Sequence, residues 1–459
     1  MNDPCAPLRS RNPLVLIPQH FGSLVFDRRT SKYLPFDAEA TALLLRLRET
    51  RIDTVLQETA DPDRRLEIER FFEHFYGRGF FTLDGRFAGT ALDLEVPEDH
   101  LAGPLALHLE IVAACNLTCT HCFAGTLPRR EPPLTMAELD RLFGEMAALG
   151  TFRLGLTGGE PLLRKDLFEV IDLAVSHGLH PCLTTNGLLI TEEIARQFGR
   201  RDLVWLNVSL EGATAEVNDP IRGAGTFYRV MERLKLLRQH ARFTLAVTIM
   251  RPNLHEIEAC AELAYEVGAQ TAVFRPLYPV GTAREHLELM PTFAEYNDAL
   301  SRLAGMGEEG EFEFCAIDPF SPHLRRETQS VIHQNYGCGA GNSVCSVSVS
   351  GEVNPCSFLG PSFVAANVRG QSLAEIWHRS QTFQEIRALA IQEPESSTGE
   401  TATFSGGCRA RALVLNGSVD APDPWIAAQV EQEGVGPAAE KTYNPLRVLE
   451  VAPRRCGCG

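Results

Sequence analysis

The spacing of apolar and polar positions changes along the chain, and the first region it marks is a small mixed unit. Residues 14–83 contain short apolar runs around a polar turn at 27–31, which predict strands joined by a hairpin. Asp37 can cap a following helix, and a second helix is predicted over about 64–76, ending near Gly77 and Gly79. We therefore expect a domain over residues 1–90, followed by a polar linker over 91–104.

The next region alternates apolar strands with amphipathic helices, the pattern of a parallel sheet built from βα units. The predicted strands are 106–112, 152–156, 181–185, 203–209, 243–249 and 270–275. Six units are too few for a complete eight-stranded barrel, so the α/β pattern predicts a partial (β/α)6 TIM-like barrel over 105–305. Its chemistry should lie at the carboxyl ends of the strands.

The alternation stops after about residue 305. Residues 306–420 are rich in Gly, Ser and Cys with short strand-like pieces, which indicates a separate small domain, and 421–459 form a weakly patterned tail.

Charge and cysteine content restrict the function. The 459 residues carry 59 acidic against 43 basic side chains, a net charge of −16 that disfavours nucleic-acid and anionic-membrane partners. The chain opens on no signal-like segment and contains no apolar run of membrane-spanning length, so we expect a cytoplasmic protein. Thirteen cysteines in a reducing compartment more often indicate metal sites than disulfides.

Three of these cysteines follow the first barrel strand. Cys115, Cys119 and Cys122 form a C-x3-C-x2-C array. Three close thiolates suit a [4Fe–4S] cluster in which the fourth iron stays open to a small molecule. The alternative is a zinc site completed by His121.

This array resembles the signature of the radical S-adenosylmethionine (radical SAM) superfamily, and the likeness extends over about 105–290. Later strands end in TGGEP, TTNG and NVSLEG, followed by NDPIRG, in the order found in that family. The resemblance implies SAM contacts from Phe123, Gly158, Gly159, Glu160, Pro161, Ser209 and Arg222. Within that set, the glycine loop would meet the methionine amino group, Arg222 its carboxylate, and Phe123 the adenine.

The same resemblance implies the chemistry. A reduced cluster donates an electron to SAM, and the 5′-deoxyadenosyl radical that results abstracts a hydrogen atom from the substrate. An electron donor such as flavodoxin or ferredoxin would supply the electron that reduces the cluster. The sequence identifies no catalytic side chain beyond the cluster ligands.

A second cysteine group lies in the Gly-rich region. Cys338, Cys345 and Cys356 surround a predicted hairpin, and Cys408 follows in FSGGC. Four thiolates suit a closed [4Fe–4S] cluster, with zinc as the alternative. Over about 330–415 the sequence resembles the SPASM/twitch-like extension of radical SAM maturases, which implies auxiliary iron–sulfur binding.

The family's C-x2-C-x5-C segment is absent from this extension, so we expect one auxiliary [4Fe–4S] cluster. Its place is taken by Glu395, Thr398 and Phe404. Six cysteines remain outside both groups. We interpret Cys5, Cys182 and Cys260 as bystanders and leave Cys315, Cys456 and Cys458 without a role.

The N-terminal unit resembles the winged-helix-like domain of the pyrroloquinoline quinone (PqqD-like) peptide chaperone and the related RiPP recognition elements. These bind leader peptides of ribosomally made precursors. The resemblance implies that an extended peptide adds to the hairpin edge. A purely structural cap on the barrel is the alternative.

Three functional hypotheses follow. The leading one is a radical SAM maturase that modifies a ribosomally synthesised peptide, with a crosslink as the expected product and epimerisation or backbone excision as other products. The second is a maturase of a small-molecule cofactor, acting on a tetrapyrrole or quinone precursor. The third is a zinc-binding scaffold without radical chemistry.

Overall fold

The computed structural model describes residues 13–124, 132–309, 314–316, 338–391, 407–425 and 428. Several sequence predictions lie outside these ranges. They concern the tail from 429 onward and the residues Cys5, Glu395, Thr398, Phe404, Cys456 and Cys458. Cys315 is described only as part of a strand.

The N-terminal unit is a four-stranded sheet covered by three helices. Its strands are β1 (Leu14–Gln19), β2 (Gly22–Asp27), β3 (Lys32–Asp37) and β4 (Thr90–Ala91), in the order β3-β2-β1-β4. Its helices are α1 (Ala38–Leu47), α2 (Ile52–Glu58) and α3 (Pro62–Tyr76). Asp37 caps α1 by accepting a hydrogen bond from Ala40 N at 2.8 Å. The α2 helix was not predicted, because its seven residues show too few turns for a periodic pattern.

The central region is a parallel sheet with helices on its outer face. Its strands are β5 (Ala106–Glu110), β6 (Arg153–Thr157), β7 (His180–Thr185), β8 (Trp205–Ser209), β9 (Thr244–Ile249), β10 (Ala272–Pro276) and β11 (Phe314–Ala316). The helices are α4 (Met136–Ala148), α5 (Leu167–Ser176), α6 (Glu192–Gly199), α7 (Ala215–Arg222), α8 (Thr226–Leu237), α9 (Ile257–Glu266) and α10 (Phe293–Glu309). Strands β5 to β11 pair in sequence order, all parallel, which confirms the partial barrel.

The C-terminal region continues this sheet. Its elements are β12 (Val344–Val347), β13 (Glu352–Asn354), β14 (Ala366–Asn367), α11 (Leu373–Arg379), α12 (Gln381–Ile391) and α13 (Arg409–Asn416). β12 pairs in parallel with β5, so the sheet has ten strands in the described part of the chain. The pairing covers an edge that β5 would otherwise leave open. The sequence predicted a separate domain. The residues of the β12–β13 hairpin do not show that β12 pairs with the distant strand β5.

The N-terminal sheet docks on the barrel at the amino ends of its strands. Phe26 stacks on Phe152 with ring centroids 4.8 Å apart, and Arg28 lies over the same ring at 4.7 Å. The Tyr33 hydroxyl contacts Gly150 O at 2.9 Å and accepts a hydrogen bond from Phe152 N at 2.8 Å. Because these barrel residues precede β6, the docking surface is opposite the carboxyl ends where chemistry is expected. None of the described helices is long and apolar enough to cross a membrane.

Candidate functional site

The loop that follows β5 presents the first three cysteines at the carboxyl end of the barrel. We call residues 111–124 the cluster loop. Cys115 is exposed, while Cys119 and Cys122 are half-buried. Thr282 N donates to Cys122 O at 2.8 Å, and Thr120 N donates to Ile221 O at 3.1 Å. These backbone contacts fix the half of the loop that carries two of the three thiols.

The local environment of Cys119 disfavours a thiolate that has no cationic partner. Burial raises the pKa of Cys119 to about 11, and the nearby Arg222 partly opposes this. The thiols of Cys115 and Cys122 also raise it, which indicates that the three sulfurs face a common space. Bound iron would favour the thiolate form of all three.

The glycine pair of TGGEP packs directly on the cluster loop. Gly158 adopts φ +140°, and a Cβ atom there would lie 2.3 Å from Val112 O. A Cβ atom on Gly159 would lie 2.0 Å from Ala114 O. Gly159 N donates to Val112 O at 2.7 Å, and Glu160 N donates to Ala114 O at 2.8 Å. The glycines therefore allow two backbones to touch immediately before Cys115.

Glu160 ties this loop to the end of β7. Its carboxylate, 1% exposed, accepts hydrogen bonds from Thr185 Oγ1 at 2.6 Å and Asn186 N at 2.7 Å. Burial raises the pKa of Glu160, although these hydrogen bonds oppose the shift. Asn186 Nδ2 in turn donates to Asn116 Oδ1 of the cluster loop at 2.7 Å. The strand ends recognised in the sequence are thus joined to one another.

Glu211 is a site residue that sequence reasoning missed. Its buried carboxylate accepts from Arg222 Nη1 at 3.0 Å and Thr248 N at 2.7 Å, and lies 3.1 Å from His121 Nε2. Burial alone would raise the pKa of Glu211, but His121 and Arg222 outweigh it and lower the pKa. The available signal was an acidic residue two positions after Ser209, at the carboxyl end of β8.

Two buried polar atoms beside Glu211 have no hydrogen-bond partner among the described residues. They are His121 Nδ1 and Arg222 Nε. Buried polar groups in native proteins are almost always satisfied. The three thiols of the cluster loop are soft ligands that suit iron, and the two unpaired nitrogens can bind a polar group. The residues therefore fit an iron–sulfur cluster with a polar cofactor beside it. The contact with Glu211 occupies Nε2 of His121, so the zinc alternative would have to use Nδ1 of this ring.

The barrel interior is polar. Leu107, Leu109 and their equivalents on the other strands face the helices and form the main core. Since side chains alternate along a strand, the opposite face points into the barrel. It carries His108, Thr157, Cys182, Thr184, Asn207, Ser209, Thr248 and Arg275. His108 is solvent-exposed, so solvent reaches this interior, which we call the polar cavity.

Enclosure within the barrel and the charge of Arg275 lower the pKa of His108 to about 4. The ring is therefore neutral at pH 7. Its Nδ1 atom lies 3.4 Å from the hydroxyl of Ser357, the residue after Cys356. Cys182, interpreted from the sequence as a bystander, is half-buried and faces the same cavity.

The second cysteine group comes together only in part. Cys338, Cys356 and Cys408 belong to one apolar cluster with Phe123 of the cluster loop. Cys345 is fully buried in the main core, on the helix-facing side of the sheet. Phe123 and Phe358 meet edge to face at 5.4 Å, which links the two cysteine groups. Among the described residues, no three His, Cys, Asp or Glu side chains are placed to hold a single metal ion.

Cys408 is held by a buried ion pair that the sequence did not reveal. Asp423 accepts from Cys408 N at 2.7 Å and bonds Arg411 through both oxygens, at 2.8 and 2.7 Å. The Arg411 guanidinium lies over the Trp425 ring at 4.0 Å. The segment after α13 therefore folds back over the second cysteine group.

Comparison with known proteins gives consistent matches. Residues 109–264 match the model of the radical SAM superfamily, and 338–400 match the SPASM iron–sulfur cluster-binding domain. Mycofactocin maturase MftC of Mycolicibacterium smegmatis is 31% identical over 351 residues, covering 74% of this chain and 88% of that protein. The AdoMet-dependent heme synthase of Methanosarcina barkeri is 33% identical over 342 residues, covering 70% of this chain and 96% of that protein.

The fold matches a crystal structure of Streptococcus suis SuiB bound to precursor peptide SuiA. The TM-score is 0.66 at 14% identity, and the match covers 90% of this chain and 98% of that one. The domain matches imply a [4Fe–4S] cluster with SAM, and auxiliary iron–sulfur binding in the extension. This chain belongs to the radical SAM superfamily of enzymes and carries a SPASM domain after its barrel.

Proposed function

We propose that this enzyme is a maturase of a ribosomally synthesised peptide. The observation that carries the proposal is the outer strand of the N-terminal sheet. β3 pairs with β2 on one side and has no strand neighbour on the other among the described residues. An unpaired edge offers backbone groups to an extended peptide. A small-molecule substrate has no extended backbone that could pair with such an edge.

We propose the following roles for the site residues. Cys115, Cys119 and Cys122 hold the radical-generating cluster, and SAM lies against Phe123, Gly158, Gly159, Glu160, Pro161, Ser209 and Arg222. The second group, predicted from the sequence as Cys338, Cys345, Cys356 and Cys408, holds one auxiliary cluster, and we propose Cys338, Cys356 and Cys408 as its thiolate ligands. The geometry supports Cys338, Cys356 and Cys408 in this role more strongly than Cys345.

When bound, the reduced cluster and SAM supply a 5′-deoxyadenosyl radical that removes a hydrogen atom from the substrate. This chain positions the reactants. The TGGEP backbone and Glu160 hold the cluster loop, and the polar cavity around His108 and Arg275 receives the residue to be modified. A crosslink is the expected product. Flavodoxin or ferredoxin is the proposed electron donor, in the cytoplasm.

The proposed division of labour follows the chain. Residues 1–90 recognise the leader peptide, 91–104 connect this domain to the barrel, 105–305 perform the radical chemistry, and 306–420 carry the auxiliary cluster.

The proposed peptide-binding edge of β3 contains a proline. Pro35 in β3 has no N–H group, so an added strand would receive one donor fewer at that position. Peptide affinity would then depend on side-chain pockets as well as on backbone pairing.

The test is the formation of 5′-deoxyadenosine by anaerobically reconstituted enzyme, with and without a short peptide encoded beside the gene. We expect peptide-dependent SAM cleavage and a mass change in the peptide. A peptide that lacks its N-terminal leader should lose most turnover. This truncation is cleaner than removing residues 1–90 of the enzyme, because that deletion would expose Phe152 and neighbouring apolar surface.

A small-molecule cofactor maturase is the second candidate, supported by the 33% identity to a heme synthase. Conversion of a tetrapyrrole or quinone precursor, with no change in any candidate peptide, would establish it and refute peptide maturation. Metal content tests the zinc-scaffold alternative. Anaerobic protein should be brown with about 8 iron atoms, and about 12 would indicate a further cluster.

A further inference from the structure

Two neighbouring contacts join the cluster loop to the end of α7. Thr120 N donates to Ile221 O at 3.1 Å. The residues that follow each of these, His121 and Arg222, meet on the carboxylate of Glu211. A single contact would leave the loop free to rotate about it, whereas two contacts at consecutive residues fix its orientation.

Glu211 is itself held on every side. Its N–H donates to Asn218 Oδ1 at 3.1 Å, and its carbonyl accepts from Asn253 Nδ2 at 2.9 Å. Its second carboxylate oxygen accepts from Thr248 N at 2.7 Å. The side chain is 2% exposed. The carboxylate therefore cannot move without disturbing β8, β9 and α7 together.

The partners of Glu211 point to a bound group. His121 and Arg222 each keep one buried nitrogen without a hydrogen-bond partner in the described part of the chain. Arg222 is 6% exposed. A buried guanidinium whose charge is shared with a carboxylate is held in one orientation, with its remaining N–H groups directed elsewhere. The site is thus ordered before any cofactor binds.

We infer that Glu211 is the positioning residue of the radical-generating site: it orients Arg222 toward SAM and, through His121, fixes the part of the cluster loop that carries Cys119 and Cys122. This role concerns SAM and the cluster only. It is therefore independent of whether the substrate is a peptide or a small molecule.

The test compares Glu211→Ala and Glu211→Gln with Glu256→Gln. Glu256 is a matched control because it is also buried, at 9% exposure, and accepts hydrogen bonds from Ala213 and Thr214 just after Glu211. Iron content, the EPR spectrum of the reduced cluster with and without SAM, and the KM for SAM are measured. SAM cleavage is assayed without substrate, so failure of the proposed function does not affect the result.

We expect Glu211→Ala to raise the KM for SAM by at least about tenfold, equivalent to roughly 1.4 kcal/mol of binding. The SAM-induced change in the EPR spectrum should require correspondingly more SAM. Glu211→Gln keeps one carbonyl acceptor and should be intermediate, while Glu256→Gln should match the wild type. If Glu211→Ala loses its iron–sulfur cluster, the KM for SAM and the EPR response of Glu211→Gln are compared instead. A KM and an EPR response equal to those of Glu256→Gln in that variant would overturn the inference.

Discussion

Cys345 lies opposite Leu107 in the parallel pairing of β12 with β5, and like Leu107 it faces the helices. Cys338, only seven positions earlier, packs with Cys356 and Cys408 in a different apolar cluster. Burial raises the pKa of Cys345 to about 12, and no other cysteine of the described ranges contributes to that shift. The structure therefore separates one of the four cysteines that the sequence grouped.

Replacement of Cys345 by Ala should leave the auxiliary cluster in place. The buried sulfur contributes packing, so we expect a loss of about 1 kcal/mol in stability with unchanged iron content. Replacement of Cys356 by Ala should remove about four iron atoms while SAM cleavage persists. Iron analysis and EPR spectroscopy distinguish the two variants. Loss of the auxiliary signal in Cys345→Ala would show that this thiol is a ligand after all.

The Arg411–Asp423 ion pair should be required for the auxiliary cluster. Asp423→Asn leaves the buried Arg411 without a counter-charge, which costs about 3–5 kcal/mol, and weakens the support of Cys408. We expect auxiliary iron to be lost while the radical-generating cluster remains. The exposed Asp420 provides the control, since Asp420→Asn should change neither. Full auxiliary iron in Asp423→Asn would contradict this role.

Gly159 should not tolerate a side chain. Because a Cβ atom there would lie 2.0 Å from Ala114 O, Gly159→Ala must displace the cluster loop or the TGGEP loop, at a cost of about 1–3 kcal/mol. We expect substrate-free SAM cleavage to fall at least about tenfold. Gly305→Ala in α10 is the matched control, since no atom of the residues that the structure describes lies within 4 Å of the added atom. Equal SAM cleavage in both variants would rule out the proposed contact.

A histidine pair should make stability depend on pH. His100 Nε2 lies 2.9 Å from His378 Nδ1, and burial, His100 and two arginines lower the pKa of His378 to about 4. In the unfolded chain His378 binds its proton at about pH 6.5. The contribution of neutral His378 to the free energy of unfolding is therefore complete above that pH. It is lost as the pH falls from about 6.5 to 4. His378→Gln should reduce this loss.

Solvent screening limits the effect of this half-exposed pair to about 1 kcal/mol, or about 2–4 °C in melting temperature. The measurement is the melting temperature of wild type and variant at pH 7.5 and pH 5. His286, whose side chain is 39% exposed, provides the comparison, since His286→Gln should retain the wild-type dependence. An unchanged pH dependence in His378→Gln would refute the prediction.

The sequence by itself determined the proposed radical-generating site, because its proposed ligands are close together along the chain. Cys115, Cys119 and Cys122 lie within eight residues, and parallel strands bring their carboxyl ends to one edge. The strand period likewise determined the partial barrel, since apolar residues must alternate to face the helices. Gly158 and Gly159 were recognisable as well, although their contact with the backbone of the cluster loop was not.

Only the tertiary structure decided what depends on distant contacts. The pairing of β12 with β5 and the contact of His121 with Glu211 join elements far apart in sequence. Arg411 and Asp423 are only 12 residues apart, but they meet because the segment after α13 folds back. The side to which Cys345 points follows from the register of that strand pairing, and a shift of one residue would reverse it. Spacing along the chain can suggest which thiols belong together, but strand register determines which of them meet.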